Sequence, residues 1–160
     1  MDRWQIRELR DPEEKREAAQ TVLTALPEWF GLPYSTAAYI RDCGSLPVWA
    51  AAEAGTVAGF IALKRTSDYA GEVFVMGVLP QNHRRGLGRA LLQTLEARAR
   101  QEHMLFLQVK TVAPGRYEAY DQTRLFYEAM GFYPLEVFPT LWDPWNPCLV
   151  MVKRLAEVET

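Results

Sequence analysis

The chain has 160 residues, 49% of them hydrophobic, and 18 Lys and Arg against 20 Asp and Glu give a formal net charge of −2. That length and composition suit one folded domain, residues 1–160, with a sizeable core, and they exclude a disordered chain. No apolar run nears the ~20 residues of a membrane span, and the weakly acidic balance argues against a general nucleic-acid-binding surface.

Gln5 to Leu9 alternates polar and apolar residues and predicts a strand. Asp11-Pro12-Glu13-Glu14 then carries helix-start signals: a capping aspartate, a first-turn proline and a glutamate at the capping-box position. This helix is expected to reach about Leu26, where the Pro27-to-Pro33 stretch breaks it, and a short helix is expected from Thr36 to Arg41. Val48–Glu53 and Thr56–Arg65 flank Ala54-Gly55 and predict a hairpin. After a turn at Tyr69-Ala70-Gly71 comes a strand from Glu72 to Leu79.

A basic, glycine-punctuated turn follows, His83-Arg84-Arg85-Gly86-Leu87-Gly88-Arg89, and opens into a helix predicted from Gly86 to Gln101. Leu87, Ala90, Leu91, Leu95 and Ala99 form its apolar stripe. A strand entering such a turn leaves the first N–H groups of the helix without intrahelical partners and aims them at one spot. The helix dipole and the arginines make that spot attractive to a pyrophosphate. Gly86 and Gly88, lacking Cβ, let a ligand approach the main chain. Arg84 to Arg89 would supply the donors, with Arg84, Arg85 and Arg89 adding charge. No Gly-Lys-Ser/Thr follows, so a nucleoside triphosphatase motif is absent from the sequence.

Met104 to Val109 predicts a short strand, and Thr111 to Tyr120 a loop turning at Pro114-Gly115. Asp121 is expected to cap a helix that stops at Gly131. Phe132–Phe138 and Cys148–Leu155 complete the strands, around an aromatic, proline-rich loop from Pro139 to Pro147. The order is strand, two helices, three strands, helix, strand, helix, two strands. This predicts an α/β (α+β) fold with a mixed, mostly antiparallel sheet of about seven strands and four helices. The helical crossover makes the fourth and fifth strands parallel. The N-terminal residues carry no signal-peptide pattern, and Cys43 and Cys148 read as free thiols of a reducing compartment. A cytoplasmic protein without membrane association is therefore expected. Two histidines and no His/Cys/carboxylate cluster predict no protein-bound metal.

This order, with Val78-to-Leu92 as one motif and Thr123-Arg124-Leu125-Phe126-Tyr127-Glu128-Ala129-Met130-Gly131-Phe132 as the other, resembles the GNAT superfamily of acyl-CoA-dependent N-acetyltransferases. The resemblance covers nearly the whole chain. It implies acetyl-CoA as acyl donor, with its pyrophosphate on the turn from His83 to Arg89. It implies that the fourth strand splays from the fifth and pairs its backbone at Met76, Gly77 and Val78 with the pantetheine arm. Gly77 itself suggests a bulge or a close approach to the backbone. His83 stands where the family usually has Gln or Arg, and Tyr120 where many members have Asn.

The same resemblance implies Tyr127 as general acid for the departing thiolate, an effect typically worth ~10²–10⁴ in rate. It implies Glu72 as general base, with an exposed strand-start charge as the plain alternative. Trp29, Phe30, Trp142 and Trp145 fall where acceptor loops lie in the superfamily; holding long loops to the core is the alternative use of these aromatics. Cys148 has no partner histidine in view, so direct transfer to a primary amine of a small molecule, peptide or protein is expected. A catalytically silent acyl-CoA-binding or sensing module is the alternative function. The C-terminal strands and the Trp142–Trp145 segment leave room for a homodimer.

Overall fold

The computed structural model describes residues 4–31 and 33–156. The first residues of the N-terminal stretch considered for a leader therefore lie outside the described part. The chain orders its elements as β1 (Gln5–Leu9), α1 (Pro12–Leu23), α2 (Pro33–Cys43), β2 (Val48–Glu53), β3 (Thr56–Arg65), β4 (Ala70–Val78), α3 (Leu87–Gln101), β5 (Phe106–Val112), α4 (Glu118–Ala129), β6 (Tyr133–Asp143) and β7 (Asn146–Arg154). The seven strands form one sheet in the order β1-β2-β3-β4-β5-β7-β6. The β1–β2, β2–β3, β5–β7 and β6–β7 pairs are antiparallel, and β4–β5 is parallel.

Local chemistry accounts for most boundaries. Asp11 caps α1, accepting from the Glu14 N–H at 3.3 Å, with Pro12 in the first turn. The β2–β3 hairpin turns at Ala54 and Gly55, with φ of 53° and 83°, the double positive φ of a tight two-residue turn. Gly131 ends α4 with φ of 97°, as a left-handed terminator should.

Several boundaries differ from the sequence expectation. Helix α1 stops at Leu23, three residues early, and Leu26 is instead buried in the turn that follows. Helix α2 is longer than Thr36–Arg41, because Pro33 serves its first turn. Strand β4 starts at Ala70, and the turn before it is tied by Thr66 and Ser67 N–H groups to the Ala70 carbonyl. Strand β5 runs on through Thr111 to Val112, held by β7 from Phe106↔Arg154 to Val112↔Cys148. Asp121 lies inside α4 and caps nothing; its carboxylate accepts from the Gly115 N–H at 3.0 Å and ties down the preceding loop. The Pro139–Pro147 loop is absent: β6 and β7 continue into a hairpin joined at Pro144-Trp145.

The described residues group into two compact units, those up to Lys64 with Phe74–Arg98, and Arg65–Val73 with those from Ala99 onward. In the first, Leu9, Val22, Leu23, Val48, Phe60 and Val75 belong to one buried cluster, with Trp29, Phe30 and Phe74 packed against it. In the second, Leu107, Val109, Phe132, Leu149 and Met151 are buried. No described helix is long and apolar enough to cross a membrane.

Candidate active site

The turn before α3 has the backbone shape that an anion site requires. Arg84 has φ of 61° and Gly86 φ of 81°. Left-handed residues alternating with Arg85 turn successive N–H groups to one side, the geometry of a backbone nest. The Ala90 N–H donates to the Gly86 carbonyl at 3.1 Å and starts the helix ladder. The N–H groups of Leu87, Gly88 and Arg89 precede that bond and have no intrahelical acceptor. A Cβ on Gly86 would meet nothing within 4 Å, so the space in front of the turn is open.

Glu53, at the end of β2, holds this turn in place, and sequence reasoning missed it. Its Oε2 accepts from Asn82 Nδ2 at 3.0 Å, and its Oε1 lies 3.3 Å from Arg85 Nη2. Asn82 is buried in a short 3-10 turn, Pro80–Asn82, that also went unforeseen. Arg85 stacks its guanidinium over the Trp4 ring at 5.8 Å. Arg85 is thus an anchor of the turn, whereas Arg84 and Arg89 stand exposed. The pairing spans about thirty residues of sequence, so no local motif could announce it.

Three backbone positions on β4 were expected to meet a ligand, and their directions differ. The Leu79 N–H donates to the Ala58 carbonyl of β3 at 2.8 Å. Polar groups alternate along a strand, so Met76 and Val78 point theirs off the edge away from β3, and Gly77 points toward it. The Gly77 glycine has a packing cause. A Cβ there would sit 2.8 Å from Val22 Cγ1 and 3.0 Å from Leu26 Cδ1. The close approach inferred from the sequence is that of α1. His83 turns its ring back on the strand end. Its Nε2 lies 2.7 Å from the Val78 carbonyl, and its ring meets Trp29 edge-on at 5.8 Å. A carbonyl only accepts, so Nε2 carries the proton. His83 therefore fixes the end of β4 through the Val78 carbonyl.

Glu72 is buried, 5% exposed, and is no exposed strand-start charge. It lies opposite Gln108 in the parallel register, which runs from Ala70↔Phe106 to Glu72↔Gln108 and ends there. Lys110, two residues on and on the same face of β5, brings Nζ to 3.3 Å from Glu72 Oε2. This partner also escaped the sequence reading. Burial, as the main cause, pushes the Cys148 thiol up to about 11, against the pull of Lys110. It stays protonated at neutral pH, the wrong form for a nucleophile.

Tyr127 sits on the buried face of α4, its ring edge-on to Phe132 at 5.4 Å. The Phe132 N–H returns to the Tyr127 carbonyl at 3.0 Å, so the Gly131-Phe132 pair that ends the helix also fixes the tyrosine. Burial raises the phenol above its ordinary value. The hydroxyl is a neutral proton donor at any physiological pH.

The aromatic residues separate. Trp29 and Phe30 are half-buried against the core of the first unit, with Phe30 edge-on to Tyr39 and its carbonyl accepting from Thr36 Oγ1 at 3.0 Å. Trp142 and Trp145 belong to the β6–β7 hairpin of the second unit and are exposed. They hold no loop to the core.

The family model for the acetyltransferase (GNAT) domain matches residues 44–134. No curated protein sequence matches the chain. Among solved structures, Ard1 from Thermoplasma volcanium is similar at 19% identity and a TM-score of 0.78, covering 98% of this chain and 100% of that one. The ribosomal-protein-S18-alanine N-acetyltransferase from Escherichia coli is similar at 20% identity and a TM-score of 0.75, covering 98% and 96%. An aminoglycoside 6'-N-acetyltransferase solved with coenzyme A is similar at 15% identity and a TM-score of 0.73, covering 98% and 99%. At such identities the likeness is one of fold.

Proposed function

The chain belongs to the GNAT acetyltransferases and is an acyltransferase, and from that premise we propose that it moves an acetyl group from acetyl-CoA directly to a primary amine of a small molecule, peptide or protein. The observation that carries the proposal is the turn from Arg84 to Arg89, where positive φ at Arg84 and Gly86 and the open helix start converge on one anion site. A pyrophosphate there meets backbone donors and the dipole of α3 together. The similar aminoglycoside enzyme, solved with coenzyme A, supports the same donor.

Acetyl-CoA supplies an activated thioester. Each chemical role then falls to a residue of this chain. The Val78 N–H steadies the carbonyl oxygen as charge develops on it. The Met76 backbone orients the pantetheine amides by strand-like pairing. Glu72 takes the proton from the amine, directly or through water, with the Lys110 ammonium fixing its carboxylate. Tyr127, kept protonated by burial, donates to the departing sulfur. Trp29, Phe30, Trp142 and Trp145 are the aromatic candidates for meeting the acceptor. The named activities of the similar structures concern a ribosomal protein in one case and aminoglycosides in another, so both classes belong in an acceptor screen.

The test is calorimetric titration with acetyl-CoA of the wild type and of a Gly86→Glu/Gly88→Glu double variant, followed by a screen for CoA release across amines. Micromolar binding, lost in the variant, and amine-dependent release of CoA are expected. A folded wild type that binds no acetyl-CoA would remove the basis of the reading. Binding with no turnover on any amine would leave an acyl-CoA-binding module in its place.

A further inference from the structure

We propose that His83 is a positioning residue: by taking the Val78 carbonyl it confines the pantetheine arm of acetyl-CoA to one pairing register along β4. This role rests on the acyl transfer proposed for the chain, in which the arm pairs with the Met76 backbone and the thioester carbonyl meets the Val78 N–H.

Strand geometry creates the problem that His83 solves. The parallel pairing of β4 with β5 runs from Ala70↔Phe106 to Glu72↔Gln108, so Met76 and Val78 lie beyond it. Their neighbours face β3. The Leu79 N–H donates to the Ala58 carbonyl at 2.8 Å, and a Cβ on Gly59 would meet the Gly77 carbonyl oxygen at 3.0 Å. Alternation turns the N–H and C=O of Met76 and of Val78 the other way. The strand edge therefore repeats the same donor and acceptor about 6.6 Å apart. An amide N–H that fits the Met76 carbonyl fits the Val78 carbonyl equally well. A slip of that size carries the thioester far out of place, where even about 1 Å can cost ~10² in rate.

His83 removes the second acceptor. Its Nε2 lies 2.7 Å from the Val78 carbonyl oxygen and donates to it. A ligand N–H lying along the edge must approach that oxygen in the direction in which it points, and the ring is already there. The ring, although exposed, is held at a second place, edge-on to Trp29 at 5.8 Å. The Trp29 N–H in turn donates to the Leu26 carbonyl at 3.2 Å. The His83 N–H donates to the Pro80 carbonyl, also at 3.2 Å, and closes the short turn that brings the ring back to Val78. With the Val78 carbonyl engaged, the arm is directed to Met76.

The experiment compares His83→Ala, His83→Asn and His83→Gln with the wild type. It uses calorimetric titration with acetyl-CoA and carbon-13 NMR of acetyl-CoA labelled at the thioester carbonyl. Glutamine carries its Nε2–H as many bonds from Cβ as histidine does, whereas asparagine falls one bond short. A second register adds bound states. The alanine and asparagine variants should therefore bind acetyl-CoA about 2- to 10-fold more tightly, the range that one hydrogen bond gives. Their bound carbonyl signal should split or move. On any accepted amine, kcat and KM should fall by that same factor and leave kcat/KM unchanged, as unproductive binding requires. The glutamine variant should restore the wild-type affinity and single signal. Unchanged or weaker binding by a folded alanine variant overturns the role, because mere loosening of the strand end weakens binding. A carbonyl signal identical to that of the wild type overturns it as well. If His83→Ala does not fold, His83→Asn decides by the same readouts. A folded wild type that binds no acetyl-CoA removes the donor reading and this role together, whereas wild-type binding with unaltered variants removes this role alone.

Discussion

Replacing Glu53 by glutamine should weaken acetyl-CoA binding without altering any group assigned to the cofactor. The carboxylate accepts from buried Asn82 at 3.0 Å and faces Arg85 at 3.3 Å. Glutamine keeps an oxygen for Asn82 but removes the charge that both partners use. A hydrogen bond to a charged group contributes about 1.5–3 kcal/mol. The Arg85 pair is roughly one-third exposed, so solvent screening reduces its share to about 1 kcal/mol or less. A net loss of about 1–2 kcal/mol in ordering the turn corresponds to about 5- to 30-fold in affinity. Titration with acetyl-CoA measures that loss. The control is kcat/KM with S-acetylpantetheine, which lacks the pyrophosphate and should show no change. Equal acetyl-CoA affinity in the variant and wild type would refute the anchoring role of Glu53. An equal loss with acetylpantetheine would refute the localisation of its effect to the phosphate turn.

Further outcomes are expected elsewhere. Tyr127→Phe should lower kcat by ~10²-fold or more with little change in KM for acetyl-CoA, because the lost hydroxyl acts on the leaving sulfur; steady-state kinetics with unchanged kcat would remove Tyr127 from the chemistry. Burial raises that phenol, so the wild-type kcat profile should show no falling limb from Tyr127 at or below its ordinary value near 10. Gly77→Ala should destabilise by about 1–3 kcal/mol through overpacking against Val22 and Leu26, as read by urea denaturation; an unchanged midpoint would show that α1 gives way freely. Burial chiefly, then Asp42, pushes the Cys43 thiol from 9.0 to about 12. The stabilisation is complete below 9 and is lost as pH rises toward 12, because the unfolded thiol ionises first. Removing the group in Cys43→Ala should make the alkaline fall in stability shallower by up to about 1.4 kcal/mol per pH unit, and identical slopes in denaturation series across that window would contradict the assignment.

The residues set the element order and the anion turn through local constraints that act wherever the chain folds. Asp11 caps because its side chain reaches the next turn. Ala54-Gly55 and Gly131 supply positive φ where a hairpin and a helix end require it. Gly86 does the same at the start of α3, so the candidate phosphate turn and Tyr127 were both visible in the sequence as motifs. Tertiary structure decided what depends on residues far apart in the chain. Glu53 meets Asn82 and Arg85, and Lys110 meets Glu72, only once strand register brings them together. The missing side chain of Gly77 answers to α1, some fifty residues earlier. The Pro139–Pro147 segment reads as a loop because prolines break interior strands. In the fold it lies mostly within the β6–β7 hairpin, with β6 at the sheet's end, where a missing N–H costs no ladder bond on the open edge. Local chemistry specifies the backbone conformation of one segment; which side chains become neighbours is a property of the packed chain.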